Sequence, residues 1–201
     1  MRQVTMQPTW QYGPVQLWLR PHQPGERGEP QARQLLGHAL GLDPAQVPVL
    51  RDARGRPTLQ PALPAWDTGW SHSGEHLLVG LGQGVRLGVD LERIRARARL
   101  PEIAQRFFHP DELALLGRLA PDAQQALFFR LWCAKEALLK AHGHGLSFGL
   151  HRLAYTLAPD GALRLHWCDP ALGEAVRWQL HEWWAAPDCR AALACYPLTG
   201  A

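Results

Sequence analysis

Apolar and polar residues alternate along residues 85–92, V-R-L-G-V-D-L-E, in the clearest strand pattern of the chain. Successive side chains of a β-strand point to opposite faces of the sheet. The valines and leucines therefore share one face, and Asp90 and Glu92 share the other. Shorter runs of the same kind predict strands at 14–20 and 77–82.

A second pattern, in which apolar residues recur every three to four positions, predicts the helices. Residues 31–40 form a short predicted helix, and residues 101–118 form a helical segment with a break at 109–110, where a proline interrupts helical hydrogen bonding. A longer helix is predicted for 121–142, because a proline and an aspartate are favourable at its start and Gly143 is favourable at its end.

The C-terminal quarter of the chain predicts an antiparallel sheet. Its predicted strands are 153–157, 163–167, 176–184 and 189–196. The resulting order of elements is β, α, β, β, α, α, β, β, β, β. This order predicts an α+β fold with segregated helices and strands, and it argues against a doubly wound parallel sheet.

Composition narrows the class of protein. With 201 residues, 46% of them hydrophobic, the chain is long enough to bury a core. A net charge of +3 suits an acidic partner or a phosphate-bearing ligand and gives no support to nucleic-acid binding. The four cysteines have no zinc-site spacing, and Cys133 and Cys195 are expected to be buried small hydrophobic residues rather than disulfide partners. Without an apolar leader or a run of membrane-spanning length, a cytoplasmic protein is expected.

Lysine is rare in a particular way. Of the 21 basic Lys and Arg residues only Lys135 and Lys140 are lysines, and they flank a glutamate in W-C-A-K-E-A-L-L-K, residues 132–140. Helical spacing places Trp132, Glu136 and Lys140 on one face. An ordinary surface ion pair would explain Glu136 and Lys140 but not the preference for lysine. A compact ammonium group suits contact with a phosphate, so this stretch predicts a site.

Further polar groups are candidates for the same chemistry. Asp90 and Glu92 repel each other unless a cation bridges them, and Mg²⁺ takes few carboxylates together with water and substrate phosphate. Ser71 and His72 are predicted in a polar turn before a strand, where an anion could bind; a plain turn with a surface histidine is the alternative. The alternating arginines of 93–99 favour a solvated connector over a phosphate patch.

Two of these stretches together resemble a known signature. G-V-D-L-E at 88–92, followed 40 residues later by W-C-A-K-E-A-L-L-K, resembles the motif pair G-[IV]-D-x-E and W-x-x-K-E-[AS]-x-x-K of the 4′-phosphopantetheinyl transferases. The surrounding pieces are similar to those of the larger, monomeric Sfp-type branch of that family. These pieces are G-R-P at 55–57, S-H-S at 71–73, R-F-F-H-P-D-E at 106–112 and G-H-G-L at 143–146.

The resemblance implies a fold and a division of the chain. Two similar α/β-sandwich-like halves would pack as a pseudo-dimer, with coenzyme A in the cleft between them. Residues 1–84 would form the N-terminal half, on the side that binds the phosphates of coenzyme A. Residues 85–201 would form the C-terminal half, which carries the metal site and the signature motifs.

The resemblance also implies roles for single residues. In the metal site, Mg²⁺ would be held by Asp90, Glu92 and Glu136, and Mn²⁺ is an alternative ion. The catalytic set would comprise Glu136, Lys140, Glu112 and Lys135, with Lys140 contacting phosphate. The coenzyme A phosphates would be bound by Arg56, Ser71, His72 and Lys140. Many relatives carry a longer basic segment before the first helix, and here Arg33 is the candidate that enters that helix.

The implied reaction is transfer of 4′-phosphopantetheine from coenzyme A to a serine of an apo acyl or peptidyl carrier protein, with release of 3′,5′-ADP. Glu136, Glu112 and water all remain open as the base that takes the serine proton. Two alternatives remain: a Mg²⁺-dependent phosphotransferase or nucleotide hydrolase, and a non-catalytic module that binds coenzyme A or a carrier protein. A monomer is expected, with no nucleic-acid or membrane partner.

Overall fold

The computed structural model describes residues 6–95 and 99–198 of the chain. The four α-helices of this part are α1 (Glu29–Leu40), α2 (Leu100–Phe107), α3 (Pro110–Leu116) and α4 (Pro121–His142). Its strands are β1 (Trp10–Tyr12), β2 (Val15–Pro21), β3 (Leu50–Arg51), β4 (Pro57–Thr58), β5 (Trp66–Ser73), β6 (His76–Gln83), β7 (Val85–Arg93), β8 (Leu153–Leu157), β9 (Leu163–Cys168), β10 (Gln179–Ala186) and β11 (Cys189–Pro197). Within this part of the chain no helix is long and apolar enough to cross a membrane.

The first sheet has four antiparallel strands in the order β1-β2-β6-β5. Helix α1 covers one of its faces through a core that includes Trp18, Leu36, Leu77 and Val79. The helix ends at Gly41, whose φ of 68° is a left-handed conformation that glycine adopts without strain. On this face the apolar side chains of β2 and β6, among them Trp18, Leu77 and Val79, are buried against α1.

The second sheet has three antiparallel strands in the order β10-β11-β7. The odd-numbered residues of β7 face the first sheet and form one core with it. The even-numbered residues face helix α4, whose own core includes Ala137, Leu138 and, from β11, Ala192 and Ala194. The layers therefore run α1, first sheet, second sheet, α4, which confirms the predicted α+β fold.

The remaining elements enclose the outer side of α4. Helices α2 and α3 and the β8–β9 hairpin share one buried core with it, built around Phe108, Phe128 and Tyr155. The break at 109–110 separates α2 from α3 as predicted, and α4 has the predicted bounds. The four cysteines are buried free thiols, which confirms the burial predicted for Cys133 and Cys195.

Three local predictions were wrong. Ser71 and His72 lie within strand β5, so the polar turn predicted for them starts only after Ser73. The four C-terminal strands do not form one sheet, because β8 and β9 pair only with each other while β10 and β11 join β7. Helix α1 begins at Glu29, two residues before its predicted start. Of the alternating arginine segment, residues 96–98 lie outside the described part of the chain, and with them Arg97.

Candidate active site

A glycine brings helix α4 unusually close to strand β7. A Cβ atom on Gly88 would lie 2.2 Å from the Ala137 carbonyl oxygen and 2.3 Å from the Ala141 backbone nitrogen. No real side chain fits at such distances, so this crossing requires glycine. The glycine of G-V-D-L-E thereby brings the face of β7 that carries Asp90 against helix α4.

Asp90 connects three elements. Its Oδ1 accepts hydrogen bonds from the Ser71 hydroxyl of β5 at 3.1 Å and from the Lys140 ammonium of α4 at 2.5 Å. The Lys140 ammonium also donates to the Ser71 hydroxyl oxygen at 3.0 Å. Asp90 is 3% exposed, whereas the Lys140 side chain is 36% exposed. The ammonium group is therefore held in a fixed position and remains accessible from one side.

Glu136 lies one helical turn before Lys140 and is nearly buried. Burial raises its pKa to about 7, and the charges of Asp90 and Glu92 add to this effect while Lys140 opposes it. For Lys140 itself, burial acts to lower the pKa, but Asp90 and Glu136 outweigh burial and the pKa is raised. Lys140 therefore stays charged at neutral pH, and Glu136 is close to half-protonated.

Two oxygens of this cluster have a property that bears on metal binding. Asp90 Oδ2 and Glu136 Oε1 are buried and have no hydrogen-bond partner in the described part of the chain. Buried carboxylate oxygens without partners are unfavourable, and a hard divalent cation satisfies such oxygens. Within residues 6–95 and 99–198, no group of three His, Cys, Asp or Glu side chains is already arranged to hold a metal ion. Asp90 and Glu136 fit such an ion, with Glu92 half-buried two residues further along β7.

Lys140 also lines a pocket between β5, β7 and the end of α4. The walls of this pocket include Arg54, Arg56, Trp70 and Gly143. Two guanidinium groups and an indole ring suit a ligand that carries phosphate and a flat aromatic base. Because Lys140 belongs to both the pocket and the carboxylate cluster, a phosphate bound in the pocket would lie next to those carboxylates.

The predicted phosphate ligand Arg56 is largely occupied by protein groups. Its guanidinium donates to the Lys140 carbonyl at 2.9 Å, to the Leu87 carbonyl at 3.0 Å, and to Asp67. Arg56 therefore braces the pocket wall. Sequence reasoning missed Trp70 and Arg54, which is exposed and contacts His144 Nδ1 at 2.9 Å. The sequence signal for Trp70 is its position directly before S-H-S at 71–73.

Two predicted catalytic residues lie elsewhere. Lys135 and Glu112 form an ion pair of 2.7 Å, and neither side chain has any exposed surface. The Lys135 ammonium also donates to the backbone carbonyls of Leu150 and Leu153. Burial lowers the pKa of Lys135 to about 8, although Glu112 opposes this shift. The pair therefore belongs to the interior and is not part of the Asp90 cluster.

The oxygens of Glu112 are used by the protein. One accepts from the Tyr155 backbone N–H at 2.8 Å, and the other accepts from the His109 backbone N–H at 3.0 Å in a capping box at the start of α3. This arrangement gives no support to Glu112 as the base that activates a substrate hydroxyl. Its visible role is to join α3, β8 and α4.

Arg33 is also engaged away from the pocket. Its guanidinium pairs with Glu29 at 3.0 Å and donates to the carbonyls of Val47 and Val49 at 2.7 and 3.3 Å. Within the described part of the chain it is not one of the residues that line the pocket beside Lys140. His72, in contrast, is exposed on β5 next to Ser71, and the charge of Lys140 is one of the influences that lower its pKa.

The fold and the cluster define a class of site, a pocket between two packed sheets that is lined by basic side chains and lies next to paired carboxylates. A family model described as the 4'-phosphopantetheinyl transferase superfamily matches residues 86–194, more than half of the chain. The chain belongs to this superfamily, which confirms the family predicted from its motifs.

Individual relatives agree with this assignment. The chain is 34% identical over 166 residues to the 4'-phosphopantetheinyl transferase HetI of Nostoc sp., a match that covers 81% of this chain and 66% of that protein. It is 34% identical over 134 residues to a 4'-phosphopantetheinyl transferase of Bacillus subtilis, covering 67% of this chain and 58% of that one. The chain thus spans about three fifths of the length of these curated relatives.

Among solved structures, a holo-(acyl-carrier-protein) synthase from Bacillus anthracis in complex with CoA (3',5'-ADP) superposes with a TM-score of 0.45 at 16% identity. The superposition covers 56% of this chain and 96% of that one.

Proposed function

We propose that this protein transfers the 4′-phosphopantetheine group of coenzyme A to a serine of an apo acyl or peptidyl carrier protein and releases 3′,5′-ADP. The superfamily and the names of the relatives support this reaction. The observation that carries the proposal is the position of Lys140, whose ammonium is held by Asp90 and Ser71 and also lines the adjacent pocket.

The pocket is proposed as the coenzyme A site. Trp70 offers a flat surface for the adenine ring, and Arg54 is an exposed cation for a phosphate group. Arg56 shapes the wall, and its position next to Lys140 keeps positive charge where the pyrophosphate would lie. Ser71 and His72 continue this surface along β5, toward the phosphates of the nucleotide.

Asp90 and Glu136 are proposed to hold a Mg²⁺ ion together with Glu92, and Mn²⁺ is the alternative. The support is the pair of buried oxygens without partners on Asp90 and Glu136. When bound, the ion would offset negative charge that builds up on the pyrophosphate. The three carboxylates come from one strand and one helix whose spacing is fixed at Gly88.

The protein's own groups account for the remaining chemistry. Lys140 stays charged, because Asp90 and Glu136 raise its pKa, and it stabilises the phosphate that departs with 3′,5′-ADP. Ser71 orients the ammonium through its hydroxyl oxygen. Glu136, one helical turn from Lys140, is a candidate to accept the proton of the attacking serine. Glu112 is left with a structural role, so Glu136 and water remain as bases.

The proposal also gives each of the two parts of the chain a role in the site. Residues 1–84 would supply the nucleotide-binding wall through Arg56, Trp70 and Ser71. Residues 85–201 would supply the carboxylates and Lys140. The active species would be a cytoplasmic monomer, with the carrier protein as its macromolecular partner.

Intact-mass spectrometry of the carrier tests the function. The protein is incubated with coenzyme A, Mg²⁺ and a panel of apo acyl and peptidyl carrier proteins. We expect the carrier to gain the mass of one phosphopantetheine, and we expect the gain to disappear with EDTA or in Glu136→Ala. The matched control, Glu174→Ala, changes an exposed glutamate outside the cluster and should keep full activity. Nucleotide turnover without any gain on the carriers would favour the hydrolase alternative. Binding of coenzyme A without turnover would favour the binding module.

A further inference from the structure

A buried histidine beside the candidate phosphate site has one ring nitrogen without a partner. His22 follows strand β2, its backbone N–H donates to the Glu75 carbonyl at 2.8 Å, and the residue is 4% exposed. Its Nε2 atom is buried and has no hydrogen-bond partner in the described part of the chain. Because a buried acceptor without a donor is unfavourable, a neighbouring N–H group gains by turning toward it.

Gln31 determines which nitrogen of His22 carries the proton. The Gln31 Nε2 donates to the Pro21 carbonyl at 2.9 Å, which leaves the Gln31 Oε1 at 2.9 Å from His22 Nδ1. An amide oxygen only accepts hydrogen bonds, so Nδ1 carries the hydrogen and the neutral ring presents a lone pair at Nε2. The buried imidazole is thereby set as an acceptor.

The ring in contact with His22 is that of His72. The two ring centroids are 4.9 Å apart, with an angle of 37° between the planes. His72 is exposed and follows Ser71, whose hydroxyl binds Lys140. Partial burial lowers the pKa of His72, and the positive charge of Lys140 lowers it further. His72 therefore lies between a fixed acceptor and the cationic end of the site.

We propose that His22 is a positioning residue for His72. A rotation of the His72 ring would bring one of its N–H groups to the buried Nε2, which has no partner in the described part of the chain, and so turn the other ring nitrogen of His72 toward a phosphate group held beside Lys140. The inference rests on the proposed function, in which His72 binds a phosphate of the nucleotide, and it explains how that residue is oriented.

The pair would supply a donor that Arg33 does not. The donors of Arg33 are engaged by Glu29 and by backbone carbonyls. A His72 ring that donates to both His22 and a phosphate carries two protons, and the charge of the phosphate favours that form. Positive charge on His72 would then accompany the bound nucleotide.

A double-mutant cycle on nucleotide binding tests whether His22 acts through His72. The variants are H22F, which keeps a ring but removes both nitrogens, H72A, and H22F/H72A. Binding of 3′,5′-ADP is measured by titration calorimetry. We expect H72A to bind about tenfold and H22F about fivefold more weakly than the parent protein, losses typical of one charged hydrogen bond. The double variant should bind no more weakly than H72A. The proposal would be overturned if H22F weakened 3′,5′-ADP binding equally in the parent protein and in H72A, or if H22F did not weaken binding at all.

A conservative variant and a spectroscopic readout separate positioning from simple packing. H22Q can place a carbonyl oxygen near the position of Nε2, so it should recover most of the affinity that H22F loses. If H22Q and H22F bind equally weakly, the acceptor role is wrong.

The nitrogen-15 spectrum of His72 in the free protein needs no ligand. A protected ring N–H that is present in the parent protein and absent in H22F supports the pair, and identical spectra refute it. If the parent protein does not bind 3′,5′-ADP, the proposed function fails, and this spectrum still decides the role of His22.

Discussion

The two lysines of the chain lie five positions apart on helix α4 and have opposite environments. Lys135 is enclosed by Glu112 and backbone carbonyls, and burial lowers its pKa to about 8. Lys140 reaches the pocket, and Asp90 and Glu136 outweigh burial and raise its pKa. The scarcity of lysine marked both positions, but only the structure separates the interior ammonium from the one that reaches the pocket.

Replacement of Lys140 tests the role of a compact ammonium group. Lys140→Arg keeps the charge, but a planar guanidinium cannot contact Ser71 and Asp90 in the same way. We expect the rate of carrier modification at saturating coenzyme A to fall about 10²-fold or more, as for loss of one charge-stabilising donor. The rate is measured by intact mass, and Arg164→Lys on an exposed strand position is the matched control. A Lys140→Arg variant with the parent rate would remove Lys140 from the proposed chemistry.

His142, at the end of α4, predicts a dependence of stability on pH. Burial lowers its pKa to about 4, and the charges of His144, Arg86 and Arg54 act in the same direction. Between pH 6.5, the ordinary pKa of histidine, and pH 4, the unfolded chain binds more protons than the folded one at this residue. Its contribution to stability is therefore present above pH 6.5 and declines as the pH falls toward 4.

Urea unfolding at several values between pH 7 and pH 4 measures this effect. His142→Gln should flatten the fall in unfolding free energy across that window. His38→Gln, on the exposed face of α1, is the control and should leave the parent profile unchanged. Profiles of equal steepness in the parent and His142→Gln would contradict the assignment.

At the level of elements, the site depends on the crossing of β7 and α4. Gly88→Ala would force the helix away from the strand, because the new Cβ meets backbone atoms of Ala137 and Ala141. We expect a loss of about 1–3 kcal/mol in unfolding free energy, together with loss of transferase activity, since Glu136 and Lys140 would move away from Asp90. Gly117→Ala, where the nearest atom is 3.4 Å from the new Cβ, is the control for urea unfolding. Equal behaviour of the two variants would exclude a special role for the crossing.

The buried pair of Lys135 and Glu112 joins helices α3 and α4. Lys135→Met alone would leave Glu112 buried without a countercharge and should cost about 3–5 kcal/mol of unfolding free energy. Lys135→Met combined with Glu112→Gln should recover much of that loss. If the double variant is stable and retains transferase activity, the pair is structural. A stable double variant without activity would restore the catalytic role predicted from the motif.

Elements with a strong periodic pattern could be predicted from the sequence, and elements held by distant partners could not. Strand β7 and helix α4 have the two clearest periodic patterns. The candidate residues Asp90, Glu136 and Lys140, which lie on these two elements, were therefore predicted from the sequence. Strand β5, W-D-T-G-W-S-H-S, lacks a clear alternation of apolar and polar residues, so it was not predicted as a strand and Trp70 was missed. The pairing of Lys135 with Glu112 spans 23 positions, and no local pattern reports such a contact.

At the scale of the whole molecule, one arginine joins the parts that meet at the pocket. Arg56 precedes β4, and its guanidinium binds Asp67 of β5, the Leu87 carbonyl of β7 and the Lys140 carbonyl of α4. The side chains of Arg56 and Asp67 are only 14% and 10% exposed, so little water competes for their contact. The first sheet, the second sheet and helix α4 therefore share one set of hydrogen bonds.

Loss of the contact between Arg56 and Asp67 should lower the unfolding free energy more than loss of an exposed ion pair. Arg56→Met should lower the unfolding free energy by about 3 kcal/mol, because Asp67 would remain buried without its partner. Arg164→Met, which breaks the exposed contact with Asp160, should change it by less than about 1 kcal/mol.

Coenzyme A binding to Asp67→Asn, measured by calorimetry, then separates bracing of the pocket wall by Arg56 from direct contact between Arg56 and coenzyme A. If bracing dominates, Asp67→Asn and Arg56→Met weaken binding to a similar degree. If only Arg56→Met weakens it, Arg56 contacts the phosphates directly, as its motif suggests.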